Sequence, residues 1–150
     1  MKELTVTSPA FENNQPIPQK YGAYYQDVNP PIQIMGIPEG TVSLALIVDD
    51  PDAPHGTFDH WVIWNISPSQ SIIAEGSAPG VEGLNSMSEK GYTGPAPPPG
   101  KPHHYHFKVY ALDTKLNMSV NSAKRDLENA MQGHILARGS LIGLFQTART

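Results

Sequence analysis

The 150-residue sequence contains no cysteine, no apolar run longer than five residues and few basic side chains. Without cysteine, a disulfide scaffold, a thiol catalyst and a Cys-ligated zinc site are excluded. The short apolar runs exclude a membrane-spanning helix, and the first residues lack the apolar segment of a signal peptide. Ten Lys and Arg against 14 Asp and Glu argue against a nucleic-acid partner. We therefore expect a cytoplasmic protein with one domain over residues 1–150 and no stable membrane insertion.

Proline is the residue type that the sequence has in excess. Fifteen prolines and 13 glycines divide the chain into short pieces, which disfavours a helical bundle. Between them lie short apolar segments rich in β-branched and aromatic residues, which are typical of strands. These segments cover residues 42–48, 60–66 and 103–112, and a last strand is predicted over residues 139–146. The composition therefore predicts a mostly β protein, built as a sandwich.

One segment late in the chain has the periodicity of a helix. Ala123, Leu127, Ala130 and Met131 fall on one helical face. Asn121 or Ser122 is expected to cap its start. The pattern leaves two ends open: the helix stops at Gly133 or continues to about residue 137. We expect this to be the one helix of the fold.

Three of the predicted strands carry polar groups at the end of an otherwise apolar face. Alternation places Asp50 on the face of Leu44, Leu46 and Val48. The same count places His60 with Val62 and Trp64, and His103 and Tyr105 with Phe107, Val109 and Ala111. If these strand ends meet, the result is a small polar pocket on an apolar floor.

The residue types of this pocket suit a small anion. Two histidines and a tyrosine hydroxyl can donate hydrogen bonds, and a nearby carboxylate favours the charged form of a histidine. The same set leaves a second interpretation open. Two histidines and a carboxylate also resemble a metal ligand set, or a general base with an orienting acid. The sequence shows no phosphate-binding glycine loop and no nucleophile motif.

The motifs, taken in order, resemble those of the phosphatidylethanolamine-binding protein family, also called the Raf-kinase-inhibitor-like family, and in particular its prokaryotic branch. The first is Asp-Pro-Asp-Ala-Pro over residues 50–54, followed by His-Trp-Val-Ile-Trp-Asn over 60–65. The second is the stretch from Gly91 to Tyr105, which contains Pro-Pro-Pro-Gly-Lys-Pro-His-His-Tyr. Flanking segments at 27–31, 37–41 and 133–137 are also similar to the family. The resemblance covers residues 5–147, almost the whole chain.

The resemblance implies two antiparallel sheets with Greek-key connections and a small anion pocket. It implies that the pocket binds phosphate, phosphoethanolamine or a similar group, without a metal, a cofactor or a catalytic residue. It also implies a cis peptide bond between Ala53 and Pro54. The pocket and its rim would comprise Asp50, Asp52, His60, Gly94, Pro95, Pro97, His103 and Tyr105.

The resemblance has three departures and several implied partners. His104 stands where the family usually has arginine, Ala96 where cysteine is common, and Ser86-Met87-Ser88 where many prokaryotic members have Asp-aromatic-Gly. The implied function is regulation or inhibition of a kinase or protease by an anion-binding protein that forms a homodimer. The alternative is a metal-dependent or His/Asp general-base enzyme that uses the same pocket.

Overall fold

A computed structural model describes residues 2–147 and shows a mostly β protein with one α-helix. The strands β1 to β10 span, in order, Lys2–Glu3, Thr5–Thr7, Gln15–Pro16, Ile32–Met35, Ser43–Asp50, Phe58–Ile66, Ile72–Ile73, Val81–Glu82, His103–Leu112 and Ile135–Phe145. A short 3-10 helix covers Gln19–Tyr21, and helix α1 covers Lys124–Met131. Neither of these helices is long and apolar enough to cross a membrane, within the part of the chain that the structure describes.

The larger sheet contains the three predicted apolar strands at its centre. Its order is β1-β10-β9-β5-β6-β8, and β3 pairs with β10 beyond this path. The four central strands are antiparallel neighbours, but β1 and β3 both run parallel to β10. The expectation of purely antiparallel sheets is therefore wrong. The sheet is mixed because two short N-terminal segments both pair with the long strand β10.

A smaller sheet of β2, β4 and β7 shares one hydrophobic cluster with the larger sheet. Val6, Ile32 and Ile34 of the small sheet belong to this cluster, and β5, β6, β9 and β10 contribute from the other side. The strands alternate as expected, because Leu44, Leu46 and Val48 all enter it. The prediction of a mostly β fold with two sheets and one late helix is confirmed. The Greek-key connections stay a prediction.

Helix α1 covers the opposite face of the larger sheet. Ala45, Ile47, Val62 and Trp64 point to this side and meet Leu127 and Met131 of the helix in a second cluster. The helix ends at Met131, and residues 135–137 already belong to β10, so continuation of the helix to residue 137 is wrong. Ala123 holds the N-cap position instead of Asn121 or Ser122.

The first turn of α1 offers a test of local helix stability. The Asp126 carboxylate accepts a hydrogen bond from the Ala123 amide at 2.9 Å and lies where the helix dipole favours negative charge. We expect Asp126→Ala to lower the free energy of unfolding by about 1 kcal/mol in urea denaturation. Glu128→Ala, on the same helix, is the control and should change it by under about 0.5 kcal/mol. Equal losses in both variants would contradict a capping role.

Candidate functional site

Asp50 and His103 form a buried pair where β5 ends and β9 begins. The Asp50 Oδ2 atom lies 2.7 Å from Nδ1 of His103, and the two side chains are only 4% and 13% exposed. Oδ1 of Asp50 accepts a hydrogen bond from the Asp52 amide at 2.8 Å. The carboxylate can only accept here, so Nδ1 of His103 carries the hydrogen. The pair fixes the orientation of the ring and leaves Nε2 to face other groups.

His60 reaches the same site through a β-bulge. Val48 of β5 faces Trp61, but the next residue, Asp49, faces Asp59, so His60 is an extra residue in β6. A bulge of this kind redirects a side chain. The His60 ring lies 5.2 Å from the Tyr105 ring and 4.7 Å from the Phe58 ring, centroid to centroid. The alternation count, which grouped His60 with Val62 and Trp64, was wrong about the face because it assumed an unbroken strand.

The hydrogen bond of the His60 ring determines what it can offer a ligand. Its Nδ1 lies 2.7 Å from the Thr93 carbonyl oxygen, and since a carbonyl only accepts, Nδ1 is the donor. Burial lowers the pKa of His60, although the Thr93 hydrogen bond and nearby carboxylates oppose this effect. The ring is therefore neutral at pH 7, with a lone pair at Nε2. Only after protonation does Nε2 become a donor.

Tyr105 lies beside the His60 ring and is almost fully buried. Its side chain alternates with His104 and His106 and belongs to the cluster between the sheets, as the sequence predicts. Burial raises the pKa of the hydroxyl, and the Asp50 charge raises it further. The hydroxyl therefore keeps its proton at physiological pH and is a permanent hydrogen-bond donor.

The segment around Gly94 forms one wall of the site, and hydrogen bonds to residues behind this wall fix its position. The Gly94 amide donates to Oδ1 of Asp27 at 2.6 Å, and the Pro95 carbonyl accepts from the Ala23 amide at 2.9 Å. Gly94 is thus a wall residue whose amide is already used. Sequence reasoning missed Asp27 as a functional position, although the flanking segment 27–31 contains it.

The site opens into a cavity of about 330 Å³. Six of the eight predicted site residues line it, and the remaining lining residues are mostly apolar. Pro95 does not line it; it lies behind the wall, on the side of Tyr25. The full lining is Ala23, Tyr24, Asp50, Ala53, Pro54, Phe58, His60, Met87, Thr93, Gly94, Ala96, Pro97, Pro98, His103 and Tyr105.

Asp52 lies outside the cavity and anchors the loop that follows β5. Its Oδ2 accepts from the amide of His104 at 2.8 Å and pairs with Nδ1 of the same residue at 2.7 Å. The hydrogen bond from the His104 side chain is the main reason why the pKa of Asp52 is lowered. The two adjacent histidines thus form two His–Asp pairs, one buried and one exposed.

The Ala53–Pro54 peptide bond is trans, so the predicted cis bond is wrong. The loop reverses direction by other means. The Gly56 amide donates to the Ala53 carbonyl at 3.2 Å, and Gly56 has a φ of 104°, which favours glycine. Because this turn and the Asp52 side chain close the loop, the ordinary trans preference of a proline bond prevails.

The mouth of the cavity contains residues that the sequence analysis did not nominate. Met87 and Tyr24 both line it, and they are 58% and 83% exposed. Met87 lies at the tip of a turn organised by Asn85, whose Oδ1 accepts from the amides of Met87 and Glu89. The departure at 86–88 therefore puts a flexible apolar side chain at the entrance.

The lining of the cavity carries little positive charge. Within residues 2–147, its lining includes the Asp50 carboxylate but neither lysine nor arginine. Among the described residues that line the cavity, only a protonated histidine can therefore supply positive charge. In the same part of the chain, no group of three His, Asp or Glu side chains is placed to hold a metal ion.

Comparison with known proteins places the chain in a family. The family model described as phosphatidylethanolamine-binding protein matches residues 7–146. A UPF0098 protein of Pyrococcus abyssi is 46% identical over 97% of this chain and 86% of its own length. The chain belongs to the phosphatidylethanolamine-binding protein family.

Two solved structures have the same fold. The phosphatidylethanolamine-binding protein homologue CT736 of Chlamydia trachomatis matches with a TM-score of 0.92 and 38% identity, covering 98% of this chain and 99% of that one. Escherichia coli YbcL, described as a new member of the mammalian family, matches with a TM-score of 0.89 and 28% identity, covering 97% of this chain and 99% of that one. The family resemblance seen in the motifs is thereby confirmed.

Proposed function

We propose that this protein binds a small anion, of the phosphate or phosphoethanolamine class, in the cavity formed by Asp50, His60, His103 and Tyr105. The observation that carries the proposal is the meeting of two histidine rings whose Nδ1 atoms are already bonded, to Thr93 and to Asp50. Each ring leaves Nε2 for a ligand. The Tyr105 hydroxyl, which keeps its proton beside the Asp50 carboxylate, lines the same cavity.

Proton uptake is an integral part of this binding. The neutral His60 ring presents a lone pair at Nε2, which repels an anion, whereas the protonated ring presents a donor and a charge. Because burial lowers the pKa of His60, the free site resists protonation. A bound anion stabilises the charged ring and raises its pKa. Anion affinity should therefore rise as the pH falls.

We expect the dissociation constant for sulfate to be lower at about pH 5.5 than at about pH 7.5. The decrease should be up to about ten-fold per pH unit for each proton taken up. Sulfate is the probe because its own charge stays constant over this range. Two-dimensional NMR should show saturable shifts confined to the lining residues. His60→Gln should flatten the pH dependence, whereas the control His55→Gln, an exposed histidine, should keep it. Phosphate and phosphoethanolamine should compete with sulfate. A flat response to all three anions would refute the proposal.

In the absence of an anion, the free energy of unfolding should fall as the pH falls, whereas anion affinity rises. The folded-state pKa of His60 lies below the unfolded value, so the unfolded chain binds the proton more readily. This residue therefore costs no stability above about pH 6.5, and its cost grows as the pH falls below that value. Added sulfate should reduce this loss, which gives a second readout in thermal denaturation.

The role we propose for the anion site is regulation of a protein partner, a kinase or a protease, in the cytoplasm, by a protein that forms a homodimer. The support is the family membership together with a ligand-accessible cavity. Sedimentation would test the dimer. Inhibition of a kinase or protease that is lost in His103→Gln would test the partner.

A second candidate function rests on the Asp50–His103 pair. A histidine whose Nδ1–H is held by a carboxylate presents the Nε2 lone pair to the cavity, which is the geometry of a general base. In this version the cavity binds a substrate and His103 removes its proton. Turnover that is abolished by His103→Gln would favour the enzyme over the binding protein.

A further inference from the structure

Two carboxylates face each other directly beneath the anion site, on the opposite side of the larger sheet. Asp49 of β5 and Asp59 of β6 are cross-strand partners, and each precedes a site residue, Asp50 and His60 respectively. Like charges in directly opposed positions destabilise a sheet. Asp49 is nearly inaccessible, with 2% of its side chain exposed, so solvent cannot screen this repulsion well.

Lys124 lies between these two carboxylates. Its Nζ is 2.7 Å from Oδ1 of Asp59 and 3.3 Å from Oδ2 of Asp49. Lys124 is the first residue of α1, where the helix dipole disfavours a positive charge. Burial alone would lower the pKa of Lys124, but the hydrogen bond and charge of Asp59, with those of Asp49, raise it. The carboxylates therefore explain why a lysine occupies this position.

The contacts of Lys124 with Asp49 and Asp59, here called the bridge, lie at the bulge that directs His60 into the cavity. The register change falls between Val48 and Asp49, so the pair Asp49–Asp59 is the first one after the extra residue. If the two strands separated here, the bulge would relax. The Thr93 amide, which donates to the His60 carbonyl at 2.9 Å, would then move with it.

We propose that Lys124 is a positioning residue for the anion site, acting from helix α1 through Asp49 and Asp59 on the orientation of His60. The predicted effect on sulfate affinity rests on the proposed function. The predicted effect on the orientation of His60 can be measured in the ligand-free protein. Through the bridge, helix α1 and the second hydrophobic cluster are linked to the cavity on the other face of the sheet.

The test compares Lys124→Met with a matched control, Lys108→Met. Lys108 also contacts Asp49, at 2.9 Å, but it does not bridge to Asp59 and is more exposed. We expect Lys124→Met to weaken sulfate binding by about ten-fold, a typical magnitude for coupling between linked sites. The ligand-free His60 and Thr93 signals should shift as well. Lys108→Met should stay within about two-fold of the parent.

Rescue distinguishes bridging from simple packing. If Lys124 acts by neutralising two facing carboxylates, then Asp59→Asn in the Lys124→Met background should restore both sulfate affinity and the Thr93 signal. Lys124→Arg should retain both. If Lys124→Met fails to fold, the double variant should fold and bind. Unchanged binding and signals in Lys124→Met, or a double variant no better than the single one, would overturn the inference. If the parent protein itself binds no sulfate, the proposed function fails, and the ligand-free Thr93 and His60 signals still decide the role of Lys124.

Discussion

Replacing Asp50 with alanine should abolish anion binding and lower the free energy of unfolding by about 3 kcal/mol. The carboxylate is 4% exposed and accepts from two groups, Nδ1 of His103 and the Asp52 amide. Its loss leaves a buried ring nitrogen without a partner and frees the His103 ring to turn. Urea denaturation measures the stability, and a sulfate titration followed by NMR measures the site.

The neighbouring pair provides the control for this experiment. Asp52 makes the same kind of contact with His104, at the same distance of 2.7 Å, but these side chains are 41% and 50% exposed. Surface pairs of this kind contribute under about 1 kcal/mol, so Asp52→Ala should cost little stability and keep sulfate binding. If the two variants lost equal stability, burial would not be what distinguishes the pairs, and our account of Asp50 would be wrong.

The second large effect is expected at Gly94. A Cβ at this position would collide with the Tyr21 carbonyl oxygen and lie 2.8 Å from the Ala23 amide nitrogen. Both obstacles are backbone, so the wall itself must move. We expect Gly94→Ala to cost about 3 kcal/mol in thermal or urea denaturation. It should also weaken sulfate binding, because Thr93, the neighbour of Gly94, holds His60.

Gly40→Ala is a suitable comparison for the Gly94 variant. A Cβ there would meet nothing within 4 Å, and the cost arises only from its φ of 88°. A loss of about 1 kcal/mol is expected, with sulfate binding unaffected. A Gly94→Ala protein with the stability and sulfate affinity of the parent would contradict this prediction, because it would show that the Tyr21–Ala23 backbone moves at little cost.

The parts of this molecule that alternate regularly could be predicted from the sequence. The strand His103–Leu112 has the predicted bounds, and Asp50, His103 and Tyr105 come together as expected, because an unbroken strand obeys a period of two. His60 lines the cavity with them, although the alternation count assigned it to the wrong face. The reason is physical: a bulge adds one residue to one strand only, and a single sequence does not show its partner.

Other features depended on contacts distant in the chain. Asp27 is 67 residues away from the Gly94 amide that it binds, and Asp52 was expected in the cavity but serves the loop beside it. Local pattern carries no information about such pairs. The same holds for Lys124, whose contacts with Asp49 and Asp59 join segments that are distant in the chain. The family motifs grouped the residues that line the cavity, and only the tertiary structure shows the contacts that each of them makes.

The parallel pairing of β1 and β3 with β10 has a consequence for biosynthesis. Among the described residues, both N-terminal strands pair with the last strand, more than 120 residues later in the chain. Contacts between such distant segments close long loops and slow the folding of a domain. During synthesis, β1 and β3 can therefore pair only after β10 has emerged from the ribosome. A nascent chain paused before residue 135 should therefore stay protease-sensitive, and protection should appear in one late step.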